Sequence, residues 1–185
     1  AALEGLLKKR AQPGWLQAPG LQSALGATWL DLGQFDKARA ALLAAVQSED
    51  REGTVPIHDL ESLANVEARL GERQASADAA PTAQAGPTGE ALIRLAIGRL
   101  QTLDRLVAAE GGSLHNPERS ALLGSAYKRL ASVQARAVLL AGQAKARQDA
   151  SSAMRDSLQQ SLQAYGRDEG HPGTGDATAH HQHVE

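Results

Sequence analysis

Ser125-Ala126-Tyr127-Lys128 sets a hydroxyl and an amine one helical turn apart, the spacing at which a lysine can take the proton of a nucleophilic serine. The Ser-Asp-Asn and Lys-Thr-Gly elements that accompany this chemistry are missing from the chain. The four residues therefore read as one face of an exposed helix. His180, His181 and His183 offer imidazoles of the kind that hold Zn, Ni or Cu, but no structured carboxylate or thiolate stands beside them. His58 and Glu61 lie one turn apart, as two metal ligands would, and read as polar groups at a helix start. Gly170, Gly173 and Gly175 lack the strand–loop–helix setting of a phosphate loop. No Gly-x-Ser-x-Gly or His-Glu-x-x-His element occurs. The expectation is a protein with no catalytic residues, no cofactor and no metal, with Ser125 and Lys128 as the enzymatic alternative.

Composition narrows the classes further. Of the 185 residues, 42% are hydrophobic and 22% charged, as in a soluble globular protein with a core of ordinary size. Aromatics are only 3%, so the core must be Ala, Leu and Val, which suits closely packed helices. A net charge of −2 gives no general attraction to nucleic acid or to an anionic membrane. Lys8-Lys9-Arg10 reads as a solvated helix end. The longest apolar run, 137–141, falls far short of the roughly 18 residues of a membrane span. The absence of cysteine fits a reducing compartment and predicts a cytoplasmic protein. The chain begins at Ala1 and its one methionine is Met154, from which we expect a piece cut from a longer protein.

Helical periodicity dominates the chain. Leu3, Leu6 and Leu7 predict the end of an amphipathic helix in 1–10. Pro13-Gly14 and Pro19-Gly20 then break the pattern, with Trp15 and Leu16 between them as a plug on the first helix pair. A helix is predicted over 21–32, with Leu21, Leu25, Trp29 and Leu32 on one stripe. Another comes over 36–47, capped by Asp36, with Ala38, Leu42, Ala45 and Val46 inward. A third covers 57–70 and is stopped by Gly71. Residues 74–89, rich in Ala, Ser, Pro, Gly and Thr, predict a flexible insertion. A helix over 89–109 carries Leu92, Leu95, Ala96, Leu100, Leu103, Leu106 and Val107, and Gly111-Gly112 ends it. Asn116 caps and Pro117 opens a helix over 117–131. Helical pattern resumes over 133–165, weakened at 148–152, with Met154, Leu158, Leu162 and Tyr165 as its stripe. Residues 166–185 predict a disordered tail.

The first helix pair carries a recognisable set at fixed spacing: Leu25, Gly26, Trp29, Gly33, Phe35, Ala38, Leu42 and Ala45. Counted from Pro19, these positions resemble a tetratricopeptide repeat, a unit of about 34 residues. Gly26 and Ala38 let two helix backbones approach, while Trp29 and Phe35 fill the space beside them. Leu63-Ala64, Glu67 and Leu70-Gly71 resemble a second first-of-pair helix, and Leu123-Gly124, Tyr127 and Leu130-Ala131 a third. The resemblance implies an all-α fold over 1–165: an array of antiparallel helix pairs, an α-solenoid of about three divergent repeats. Residues 118–131 also resemble the divergent helical-repeat regions of bacterial signalling proteins, some of which are coupled to caspase-like proteases.

The function that the resemblance implies is non-catalytic: a concave groove presented to a peptide or protein partner. Carried over position by position, the groove takes Ser23, Ala27, Leu30 and Asp31 from the first repeat. From the second it takes His58, Glu61, Ser62, Asn65 and Arg69, and from the third Glu118, Leu122, Ser125, Lys128 and Arg129. Asn65, Arg69, Lys128 and Arg129 together would form a cationic section for a peptide backbone and a carboxylate. The chain then reads as the adaptor of a larger signalling protein, or as a regulator of an attached effector.

Overall fold

The computed structural model describes residues 18–52, 56–77, 87–109 and 116–166, together with Gly5, Lys9 and Gly14. Among these residues the protein is all-α, with six helices and no strand. They are α1 (Pro19–Asp31), α2 (Phe35–Glu52), α3 (Ile57–Ala77), α4 (Gly89–Ala109), α5 (Pro117–Leu140) and α6 (Ala144–Gly166). No helix is long and apolar enough to cross a membrane among the described residues. Packing is most extensive between α1 and α2, α3 and α4, and α5 and α6, and α3 also meets α2 and α5.

Local chemistry sets the first turn of the chain. Pro19 opens α1, where its missing N–H costs nothing. At the other end Gly33 takes φ +67°. The Gly33 amide donates to Leu30 O at 2.9 Å and the Gln34 amide to Trp29 O at 2.8 Å, the paired bonds of a Schellman ending. The chain re-enters a helix at once. Gln34, and not Asp36, stands before the first turn of α2, and its carbonyl accepts from the Ala38 amide at 2.9 Å. Asp36 lies inside that turn, where its charge favours the helix dipole without capping it.

Two apolar clusters meet on α3. One joins Leu25 and Trp29 of α1, Ala38, Ala41 and Leu42 of α2, and Leu63 and Val66 of α3, with Phe35 packed against it. The other joins Ala64 and Ala68 to Ile93, Ala96, Ile97 and Leu100 of α4, Leu123, Ala126 and Leu130 of α5, and Ala164 of α6, with Tyr127 beside it. Residues 63 and 66 face one cluster and 64 and 68 the other, so α3 is buried on two sides. Gly26 is buried, and a Cβ there would collide with the Leu42 side chain. Ala38, Leu42 and Ala45 are fully buried. Leu25, Gly26, Trp29 and Leu42 all lie where α1 meets α2.

Several boundaries differ from the sequence expectation. Gly71 does not stop α3, which runs on to Ala77. Gly71 is instead a crossing point: a Cβ there would collide with the Gly89 carbonyl, and one on Gly89 with the Gly71 carbonyl. Residues 74–77 of the expected insertion are therefore helical. Helix α5 continues unbroken to Leu140, the break falls at 141–143, and 148–152 are helical within α6. The expected stripe of α6 divides. Leu158 and Leu162 turn outward, Met154 is half-buried, and Tyr165, though partly exposed, keeps its ring over Gly124, while Ser157, Ser161 and Ala164 are buried. On α4, Leu95 and Leu106 are exposed, and Ile93 and Ile97 take inward places. The readings of 1–10, Trp15, Leu16, 78–86, Gly111-Gly112 and the tail, with its histidines and glycines, lie outside the described residues.

Candidate functional site

The charged groups inside the molecule are committed to holding helices together. The Glu67 side chain is 0% exposed and receives Arg39 Nε of α2 at 3.2 Å and Arg99 Nε of α4 at 2.8 Å. Arg119, its side chain 4% exposed, donates to Glu61 of α3 at 2.8 Å and to Asp104 of α4 at 3.2 Å. Burial by itself would lower the Arg119 pKa, but the hydrogen bonds and negative charges of Glu61 and Asp104 together outweigh it and hold the pKa above its ordinary value. Asp59, also buried, accepts from the Ser23 hydroxyl of α1. The sequence hint was available for Glu67, an acid four residues after Leu63 and three before Leu70, on the same helical stripe.

At the surface, Ser125, Lys128, Arg129 and Ser132 of α5 line an open cleft of about 290 Å³ with Glu72 of α3 and Tyr165 of α6. Arg129 Nε donates to Glu72 at 3.1 Å. Its terminal nitrogen donates to the Ser125 carbonyl at 3.2 Å and also reaches the Ser125 hydroxyl. The Ser125 oxygen is thus an acceptor for a permanent cation, which cannot serve as a general base. The cleft is lined by ammonium, guanidinium, hydroxyl and carboxylate groups, suited to holding polar groups of a ligand.

The residues expected in the groove divide. Lys128 and Arg129 share the polar cleft. Asn65 and Arg69 lie outside its lining and bond each other, Arg69 Nε to Asn65 Oδ1 at 3.1 Å. Arg69 is exposed, as are Asp31, His58, Ala27 and Glu118. Glu61 departs from the expectation. It is buried and its carboxylate is taken by Arg119, so it neither faces a groove nor joins exposed His58 in a ligand pair. Ser23 is likewise taken by Asp59, and Leu30 and Leu122 pack against the two cores. No group of three potential metal-binding side chains occurs among the described residues.

A second opening was missed by the sequence reading. It is an apolar cleft of about 480 Å³ along α4, lined by Leu60, Leu95, Gly98, Thr102, Leu103 and Leu106, with Arg94, Arg99 and Arg105 beside them. Its signal lay in the spacing 95, 98, 102 and 106, one helical stripe outside the buried stripe of 93, 96, 97 and 100. Comparison with protein-family models, with curated proteins and with solved structures finds no match to this chain.

Proposed function

We propose that this chain is a non-catalytic protein–protein interaction module, built as a tetratricopeptide-like array of antiparallel helix pairs and working in the cytoplasm. Its partner in the polar cleft is a peptide carrying a carboxylate. The observation that supports this reading is the convergence of Lys128 and Arg129 on one open cleft with Ser125 and Glu72, while the interior charges are bound to one another. A peptide carboxylate reaching Lys128 would gain a charge-assisted hydrogen bond. Ser125 and Ser132 supply neutral partners for backbone groups. The groove needs no moving part, since packing holds its walls in place.

The test is fluorescence anisotropy with a peptide library in which each sequence has a free or an amidated C-terminus. Selected free-acid peptides should lose affinity about tenfold on amidation and on Lys128→Glu, the loss of one charged contact. Peptides bound equally with either terminus, or unaffected by Lys128→Glu, would remove the polar cleft from the function.

A further inference from the structure

The cleft along α4 differs in kind from the polar one. Its floor is apolar, and its exposed leucines, Leu95 at 41% and Leu106 at 56%, stand at either end. They are eleven residues apart, about 16 Å along a helix rising 1.5 Å per residue, or roughly three turns. Between them lies Gly98, where a Cβ would meet no atom within 4 Å. Gly26, Gly71 and Gly124 are required by close neighbours within the chain, and Gly98 is not. A glycine inside a helix is unfavourable, so this one leaves a bare strip of backbone that internal packing does not explain.

The charge around the floor has one sign. Arg94, Arg99 and Arg105 line the cleft and no acidic side chain does. Arg94 is bridged to Glu90 on its own helix, and Arg99 to buried Glu67. Arg105 donates to the Gln101 carbonyl and the Thr102 hydroxyl, both neutral groups. Long arginine stems can flank an apolar strip while their heads meet carboxylates.

We propose that this cleft is a docking site for an amphipathic helix of about three to four turns that bears acidic side chains beside its apolar stripe. Leu95 and Leu106 pack between the leucines of the incoming helix. Gly98 lets its backbone come close, and Arg94 and Arg105, exposed at the rim, select acidic flanks over basic ones. This surface is separate from the polar cleft and stands whether or not that cleft binds a peptide.

Two stapled helical peptides test it by fluorescence anisotropy. Both carry leucine at positions i, i+4, i+7 and i+11, one with glutamate on the flanks and one with lysine. The acidic peptide should bind at least tenfold more tightly than the basic one. Leu95→Asp with Leu106→Asp should weaken it at least tenfold, and Arg94→Glu with Arg105→Glu should reverse the preference. Gly98→Ala adds a Cβ to the strip where no neighbouring atom lies within 4 Å, so it should keep the protein folded by circular dichroism and still weaken binding. Leu162→Asp, an exposed leucine of α6, should change nothing. The proposal is overturned if neither peptide binds, if both bind equally, or if Leu162→Asp weakens binding as much as the cleft variants. It is also overturned if the protein dimerises by sedimentation and Leu95→Asp with Leu106→Asp dissolves the dimer, which would assign the face to a second copy.

Discussion

The seam between α1 and α2 and the seam between α5 and α6 both bring helices close at a glycine, but by different chemistry. In the first, the Leu42 side chain fills the space over Gly26, with Leu25, Trp29, Ala38 and Ala41 around it. In the second, the Tyr165 ring lies over Gly124, about 2.9 Å from where a Cβ would stand. Beside that ring the seam is polar. Ser157 donates to Gln134 Oε1 at 2.8 Å and Ser161 to the Gly124 carbonyl at 2.9 Å. Close approach needs only small groups at the crossing. Whether the remaining space is filled by leucine or by hydrogen-bonded serine is a separate matter, and only leucine leaves a periodic apolar trace.

The strongest way to break the second region is through its anchor on α3. Arg119→Ala leaves buried Glu61 without its cation and should cost about 3–5 kcal/mol, read as a large drop in the urea midpoint. An Arg119 variant as stable as the parent would show that the seam, not the ion pair, holds α5. In the first region Leu42→Ala should cost about 2–5 kcal/mol, transfer and cavity together. Gly26→Leu should destabilise by about 1–3 kcal/mol through overpacking, seen as a lower Tm. Ser161→Ala sharpens the comparison: it removes one hydrogen bond and should cost about 1 kcal/mol. No change there would mean that the seam rests on Ala164 and Tyr165 alone. The smallest effect belongs to Leu162→Ala on the outward stripe of α6, where Leu162 is 73% exposed, and should stay within about 0.5 kcal/mol. A loss there equal to that of Leu42→Ala would contradict the orientation of α6.

Much of the first region was legible because its signals are local and apolar. Leu25, Trp29 and Leu42 report burial by type, and Gly33 marks a turn that only a left-handed residue closes cheaply. Asn116 and Pro117 were also readable, since the Asn116 side chain accepts from the Arg119 amide within one turn, at 3.1 Å. Gly71 misled because a glycine near a helix end serves equally as a stop or as a crossing, and the difference lies in Gly89, eighteen residues on. Of the candidate groove, Lys128 and Arg129 line one cleft, while Asn65 and Arg69, expected beside them, lie outside its lining. Glu61 does not join them, because its partner Arg119 is 58 residues away.

By itself the sequence determined that this chain is helical, where Pro19, Gly33 and Pro117 punctuate it, and which small residue lets α1 lie on α2. Those outcomes come from backbone sterics and from side chains one turn apart, which the chain order fixes. Only the tertiary structure decided that α6 turns serines inward, that Glu67 and Arg119 lie inside, and that Leu95 and Leu106 are left outside. A buried charge is tolerable where an opposite charge or a hydrogen-bond donor from another helix meets it. A leucine is left outside where none of the described helices packs over it, and both outcomes are settled by docking.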